Sequence, residues 1–244
     1  IPHVGGDFLK ELILPRPSLD EKQKIAKFLN RQTDVINTAI TVLNKKLLIL
    51  KEKRSALTTQ AVTKGLNPDA SMKDSGIDLI GEIPKHWELK RMKHVVTETT
   101  AGPFGSSITK PMYTKSGYRV YGQEQVIAND FSIGDYYISP EKFAEMQRYR
   151  VKKDDLLISA IGTIGRVSVV PRGIEEGIFN PRLVRYVTNK QIIQPHFLRH
   201  LLLADCSQAY FDLASGGTTM AVLNLQIIGE ISLPIPPIHE QNEI

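Results

Sequence analysis

A single cysteine, Cys206, leaves no partner for an internal disulfide and no thiolate set for a multi-cysteine zinc site, which points to a reducing cytoplasm. No apolar run reaches the roughly 18 residues of a spanning helix, so no membrane association is expected. The chain opens Ile1-Pro2-His3 without a methionine or a signal peptide, as a fragment would. A dominant charge is lacking too: 31 Lys and Arg face 26 Asp and Glu, a net +5. Residues 19 to 64 hold ten basic and four acidic side chains, a surplus of six, so the remainder sums to minus one. Any DNA contact by that larger part must use local patches rather than bulk charge. What is present, 41% apolar and 23% charged over 244 residues, suits a folded chain with a buried core.

The clearest segment begins at Ser18. Pro15 and Pro17 stop whatever precedes it, and Ser18-Leu19-Asp20-Glu21 fits a capping box, in which hydroxyl and carboxylate each satisfy an orphan amide. Apolar residues then recur every seven positions at Leu29, Ile36, Leu43, Leu50 and Leu57. A second row, Thr33, Ile40, Leu47, Arg54 and Ala61, interleaves at spacings of four and three, which makes a coiled-coil seam. Glycine and proline are missing until Gly65 and Pro68, a good C-terminal stop. Forty-six residues at about 1.5 Å each predict a rod of roughly 70 Å that cannot bury its seam without a partner helix.

Residues 65 to 82 are rich in Gly, Asp, Ser and Pro and read as a linker. Short β-like runs follow at Tyr118–Tyr121, Leu156–Ser159, Arg166–Val170 and Arg182–Val187, with one helix expected from Pro195 to Leu213. Strands mixed with occasional helices, without a regular βαβ rhythm, predict an α+β fold: a mixed α/β domain attached to a long coiled-coil-forming helix.

The chain also repeats its own beginning. The run Leu9 to Glu21 (LKELILPRPSLDE) aligns with Ile228 to Glu240 (IGEISLPIPPIHE) at a constant offset of 219, and Ile25 falls on Ile244. Glu, Leu, Pro, Pro, Glu and Ile recur at their places, so one full period is followed by the opening of the next. Residues 1–17 are then the tail of a preceding repeat, 18–64 the long helix, 65–82 the linker, 83–235 the globular domain, and 236–244 the start of a second long helix.

The frame L-P-x-P-x-x-x-E before a long helix, repeated about two hundred residues apart, resembles the specificity subunit of type I restriction-modification systems. Gly81-Glu82-Ile83-Pro84-Lys85-His86-Trp87-Glu88 with Lys90, Gly102-Pro103-Phe104-Gly105-Ser106-Ser107, Lys153 to Ser159, Gly162 to Arg166 and Gly216 to Thr219 follow in order and carry the resemblance over nearly the whole chain. It implies two target recognition domains, each reading half of a split site in double-stranded DNA, separated by two antiparallel helices that also dock the methyltransferase subunits, with the restriction and motor subunit reached indirectly. No cofactor is expected on this chain; S-adenosylmethionine, ATP and Mg²⁺ fall to partner subunits. One recognition domain and one full helix correspond to half a subunit: a truncation, a partly ordered chain, or a natural half-length protein acting as a homodimer.

Base reading needs paired donors and acceptors, Arg for guanine and Asn or Gln for adenine, while phosphates take Lys, Arg, hydroxyls and free amides. Ser106, Ser107, Lys110, Lys115, Tyr121, Gln123 and Gln125 supply these within one stretch, with Arg119 among them. Arg148 and Arg150 form a second basic cluster beside Lys152 and Lys153, and Arg166, Arg182, Thr218 and Thr219 lie in further turn-like segments. The bland alternative is that the glycines make ordinary hairpins, Tyr121 packs in the core and the basic cluster is a solvated strand edge. For the helix, Leu29, Ile36, Ile40, Leu43, Leu47, Leu50 and Leu57 are expected to pair with a second helix.

Enzyme chemistry finds less support. Pro68-Asp69 with Glu88-Leu89-Lys90 matches the short P-D…E-x-K pattern of metal-dependent nucleases, but Asp69 falls in the expected linker. His196 and His200, with Asp205 and Cys206 nearby, have zinc-compatible spacing but fit the flanks of a packed helix better. Asn180-Pro181-Arg182 is not the N-P-P-aromatic motif of amino-methyltransferases, and neither a P-loop nor a nucleophile elbow occurs. A non-catalytic protein without a bound metal is expected; a stand-alone endonuclease and a coiled-coil adaptor without DNA binding are the alternatives.

Overall fold

A computed structural model describes residues 15–104, 107–216 and 222–244. The chain divides into two units, Ile1–Lys53 and Arg54–Ile244, and the boundary falls within the first helix, α1 (Leu19–Lys64). At its start the Glu21 N–H donates to Ser18 Oγ (3.3 Å) and the Ser18 N–H donates to the Glu21 carboxylate (2.8 Å), the reciprocal capping box. At its end Gly65 adopts φ +74° and donates to the Ala61 carbonyl at 3.1 Å, a left-handed stop that a side chain would strain. Only Val62 and Thr63 of α1 are buried.

The stretch expected as a linker carries structure. Strand β1 (Met72–Asp74) pairs antiparallel with β2 (Glu82–Pro84), so part of it is a small ribbon. Next come β3 (Glu88–Arg91), β4 (Val96–Ala101), β5 (Tyr118–Tyr121), α2 (Gln123–Ala128), β6 (Tyr137–Ile138), α3 (Pro140–Glu145), β7 (Leu156–Ser159), β8 (Val167–Val169), β9 (Gly177–Phe179) and β10 (Leu183–Thr188). The single helix expected from Pro195 to Leu213 is two, α4 (Pro195–Leu203) and α5 (Asp205–Ala214), because Ala204 turns extended (ψ 152°) and breaks the ladder. The chain closes with α6 (Leu225–Glu230), β11 (Ser232–Ile235) and α7 (Ile238–Glu243).

Two sheets organise the second unit: an antiparallel one in the order β4-β10-β7-β8, and a mixed one in the order β6-β5-β9, where β5 and β9 run parallel. Strand alternation explains how they stack. In β7, Leu156 and Ile158 face one core with Val184 and Tyr186 of β10, whereas Leu157 and Leu183 point to the other side. There they meet Tyr121 of β5 and Phe179 of β9, whose neighbours Val120 and Ile178 point on into a third core with Ile138 and Phe143. Both sheets are thus covered on two faces, which is why β7, β8 and β9 are buried at every position, Ser159 and Ser168 included, rather than at alternate ones. Phe197, Leu198, Leu201 and Leu202 of α4 and Phe211 of α5 close the first core.

Strand β11 pairs with β3 (Ser232 with Arg91, Ile235 with Glu88) and so ties the end of the domain to its beginning. Behind it Glu240 of α7 accepts from Trp87 Nε1 (2.9 Å) and lies 2.7 Å from His86 Nε2. Gln241, buried, takes the Gln194 N–H and donates to the carbonyls of Ile192 and Pro236.

Candidate nucleic-acid interface

Four segments far apart in sequence meet at one end of the two-sheet stack. Gly102 follows β4 and is pressed against the turn before β10; a Cβ there would lie 2.3 Å from the Asn180 carbonyl oxygen and 2.8 Å from Pro181 Cα. Gly122 leads into α2 just as tightly, since a Cβ would come within 2.7 Å of Asn180 Nδ2. These two absent side chains let three loops touch. The fourth, between β7 and β8, joins through the Ala160 N–H, which donates to the Arg182 carbonyl (2.9 Å), and its Ile161 also bridges to Val222, ahead of α6.

Side chains lock the cluster. Gln123 Nε2 donates to the Ile161 carbonyl at 2.6 Å and more weakly to that of Thr163 at 3.3 Å. Its remaining oxygen faces Arg182 Nη1 at 3.5 Å. Arg182 is exposed, its own N–H is held by Asn180 Oδ1 (3.0 Å), and among the described residues most of its guanidinium donors are unengaged. Arg166 and Ser107 are exposed on the neighbouring loops. Beside them opens an apolar cleft of about 470 Å³ lined by Gly102, Ile161, Pro181, Val222 and Leu225, with Phe104 at its rim and 71% exposed.

Several expected contact residues turn out to be buried or engaged by other parts of the domain. Tyr121 is fully buried and its hydroxyl donates to the Glu175 carbonyl at 2.6 Å, so it builds the second core; burial pushes its hydroxyl up to about 12. Gln125 is buried as well, accepting the Gly122 N–H (2.7 Å) and donating to the Ile133 carbonyl (2.9 Å), which makes it a cap for α2 rather than an adenine reader. Arg119 lies over the Tyr137 ring and donates to the carbonyls of Ser132, Ile133 and Gly134. Arg150 is committed to Glu176 at 2.6 Å, and its carbonyl accepts from Arg185. Gln123 belongs to the cluster, but as the strut that orients it.

Lys110, Lys115 and Arg148 are exposed, and no hydrogen bond among the described residues links them to the four loops. Ser106, Thr218 and Thr219 lie outside the described residues. The helix-pairing residues Leu29, Ile36, Ile40, Leu43, Leu47, Leu50 and Leu57 are all 50 to 63% exposed. A second row escapes the periodicity reading: Phe28, Val35, Val42 and Ile49 also recur every seven residues and are 53 to 61% exposed. At about 100° per residue they form a separate stripe beside the first. Phe104 reads in sequence as part of a glycine-rich turn, and nothing local marks it as protruding.

Glu88 is exposed and paired with Lys90 at 2.6 Å, and Asp69 sits in a turn after α1. Among the described residues no three His, Cys, Asp or Glu converge in a way that would hold a metal ion, His196, His200, Asp205 and Cys206 included. Burial pushes the Cys206 thiol up, as for a core residue. No helix among the described residues is long and apolar enough to cross a membrane.

Residues 84–244 match the model of the type I restriction modification DNA specificity domain. The chain belongs to that family. Among the specificity subunits it resembles, that of type I restriction enzyme MjaVIII from Methanocaldococcus jannaschii is 24% identical over 99% of this chain and 55% of its own. The EcoBI specificity subunit from Escherichia coli is 26% identical over the whole chain and 52% of its own. The chain therefore spans about half the length of these curated relatives. A solved chain from work on complex assembly and conformational transition of the type I R-M system superposes with a TM-score of 0.57 over 93% of this chain and 50% of that one, at 15% identity, and shares the fold. Helices and sheets combine as the α+β expectation had it, with one long helix ahead of a sheet domain.

Proposed function

We propose that this specificity-family chain reads one half of a bipartite DNA site and supplies one arm of the spacer that separates the halves. The junction at which Gln123 ties the β7–β8 loop to exposed Arg182, on a doubly covered two-sheet stack, carries the proposal, with Arg166 and Ser107 exposed on the loops after β7 and β4. An exposed guanidinium with free paired donors suits the O6 and N7 of guanine, and Phe104 suits the methyl group of thymine. Rigid support matters because direct readout tolerates little positional error.

On α1 the two apolar stripes take two partners. The Leu29 to Leu57 seam pairs with a second long helix, from the remainder of a longer chain or from a second copy of this one. The Phe28 to Ile49 stripe docks a methyltransferase subunit, through which the restriction subunit is reached. Catalysis, with S-adenosylmethionine, ATP and Mg²⁺, resides on those partners, and the complex acts on cytoplasmic DNA. Mapping methylated adenines by long-read sequencing in cells carrying Arg182→Ala tests the assignment. A loss of discrimination at one position of the half-site, worth about 1–3 kcal/mol, is expected; an unaltered methylation motif would sink it.

A further inference from the structure

Among the described residues, half of the Lys and Arg side chains of the domain lie within ion-pair distance of an acid, such as Arg91 and Lys93 with Glu230, or Lys190 with Asp154. Four in one neighbourhood are not. On α4, His196, Arg199 and His200 stand at i, i+3 and i+4 and share a face, while Phe197, Leu198, Leu201 and Leu202 are buried. Arg199 is half-buried, and its Nε donates to the Val167 carbonyl at 3.1 Å. Its two Nη groups have no acceptor among the described residues.

Arg54 joins from α1, close enough for its charge to act on both Arg199 and His200. Ser55 Oγ donates to Asp205 (2.8 Å) and the Asp205 N–H to Thr59 Oγ (3.2 Å), which set these last turns of α1 against the α4–α5 junction and engage that acid, while Asp130 and Glu175 line the cavity that His196 and Arg199 border, beyond ion-pair distance. Among the described residues none of the four bases lies within ion-pair distance of a carboxylate. Burial first, and then the neighbouring positive charges, hold His200 and Arg199 below their ordinary values. Two arginines brought together beside a half-buried face repel each other unless an anion visits, and His196 and His200 add N–H donors to the same face.

We propose that Arg54, His196, Arg199 and His200 seat the phosphodiester backbone of DNA next to the base-reading loops. This rests on the DNA-reading function proposed above. Arg199 presents a planar fork that fits two phosphate oxygens. It also braces the carbonyl of Val167, the residue after Arg166, so the seat adjoins the loop that carries Arg166. Such contacts orient the domain on the duplex and are indifferent to sequence.

The test is the salt dependence of binding by the full chain to a labelled duplex of random sequence, comparing the unaltered protein with Arg54→Gln, Arg199→Ala and the double variant. Removing one phosphate contact should lower the slope of log K against log salt by about 0.9, and the double variant should bind about tenfold more weakly, target and non-target alike. Arg199→Lys should recover part of the loss. An unchanged slope in the double variant, with the unaltered chain binding normally, overturns the seat but not the DNA-reading function. If the unaltered chain binds no duplex at all, both fall. Loss of methyltransferase co-purification with an intact salt slope assigns the cluster to an acidic protein face and also overturns it. Arg54 is exposed, so Arg54→Gln answers the question even where Arg199→Ala unfolds the domain.

Discussion

In α1, 44 of the 46 residues are left unburied, whereas every residue of β7, β8 and β9 is buried. Both regions are rich in Leu, Ile and Val, so composition does not separate them. The helix completes its backbone hydrogen bonds locally and is left with two apolar stripes; the sheets complete theirs only by pairing, and packing of three cores against their faces then buries the side chains on both sides. One region is built to be joined, and the other is finished in itself.

The largest test of that contrast is truncation in the stack. Phe179, fully buried in the second core, should cost about 3–5 kcal/mol when replaced by Ala, read from urea unfolding of the full chain. The same truncation at Leu43, 63% exposed, should cost no more than about 0.5 kcal/mol in the unpartnered chain. Comparable losses at the two sites would erase the difference between the regions.

A second experiment sharpens it from the other side. Leu43→Asp with Leu50→Asp should leave the unfolding midpoint of the domain in place and abolish association through the first stripe, measured by sedimentation against the partner-bearing assembly. Val35→Asp with Val42→Asp should instead spare helix pairing and weaken methyltransferase docking. If either pair removes both associations, α1 has one interface rather than two.

The smallest effect concerns α7, where helix and domain meet on local terms. Partial burial acts to raise the Glu240 carboxyl, but hydrogen bonds from Trp87 and then His86 outweigh it and hold it below the ordinary carboxylate range. A depressed carboxylate stabilises the fold above the unfolded value of about 4.3, and that contribution fades as pH falls through the folded value. Trp87 is the chain's only tryptophan, so its emission should shift in acid as α7 loosens, and Glu240→Gln should remove that component. An identical acid titration in the variant would dissociate Glu240 from the docking of α7.

Much of α1 was legible from Ser18 to Gly65 because caps, heptads and stops act between residues within a turn or two of each other. Strands β5, β7 and β10 were legible too, from their β-branched and apolar runs. The candidate site was harder. Arg182, Arg166 and Ser107 are exposed loop residues, as their turn-like surroundings imply, yet Tyr121 and Gln125, two and six residues along from Arg119, look equally suited to DNA and are internal. An aromatic hydroxyl or an amide reads the same in sequence whether it faces a base or a buried carbonyl. What tells them apart is the partner, Glu175 for Tyr121 and Ile133 for Gln125, and neither partner is implied by spacing.

The sequence by itself determined the long helix, its heptad stripes, the 219-residue repeat frame and through these the family, since each is carried by local or periodic order along the chain. Only the tertiary structure decided which loops meet and which charges stay free. Gly102 and Gly122 allow contact with Asn180 because they lack side chains, and Arg54 reaches α4 from more than a hundred residues away. Such meetings depend on how two sheets stack and where a helix end lands, and those are properties of the packed core rather than of any segment.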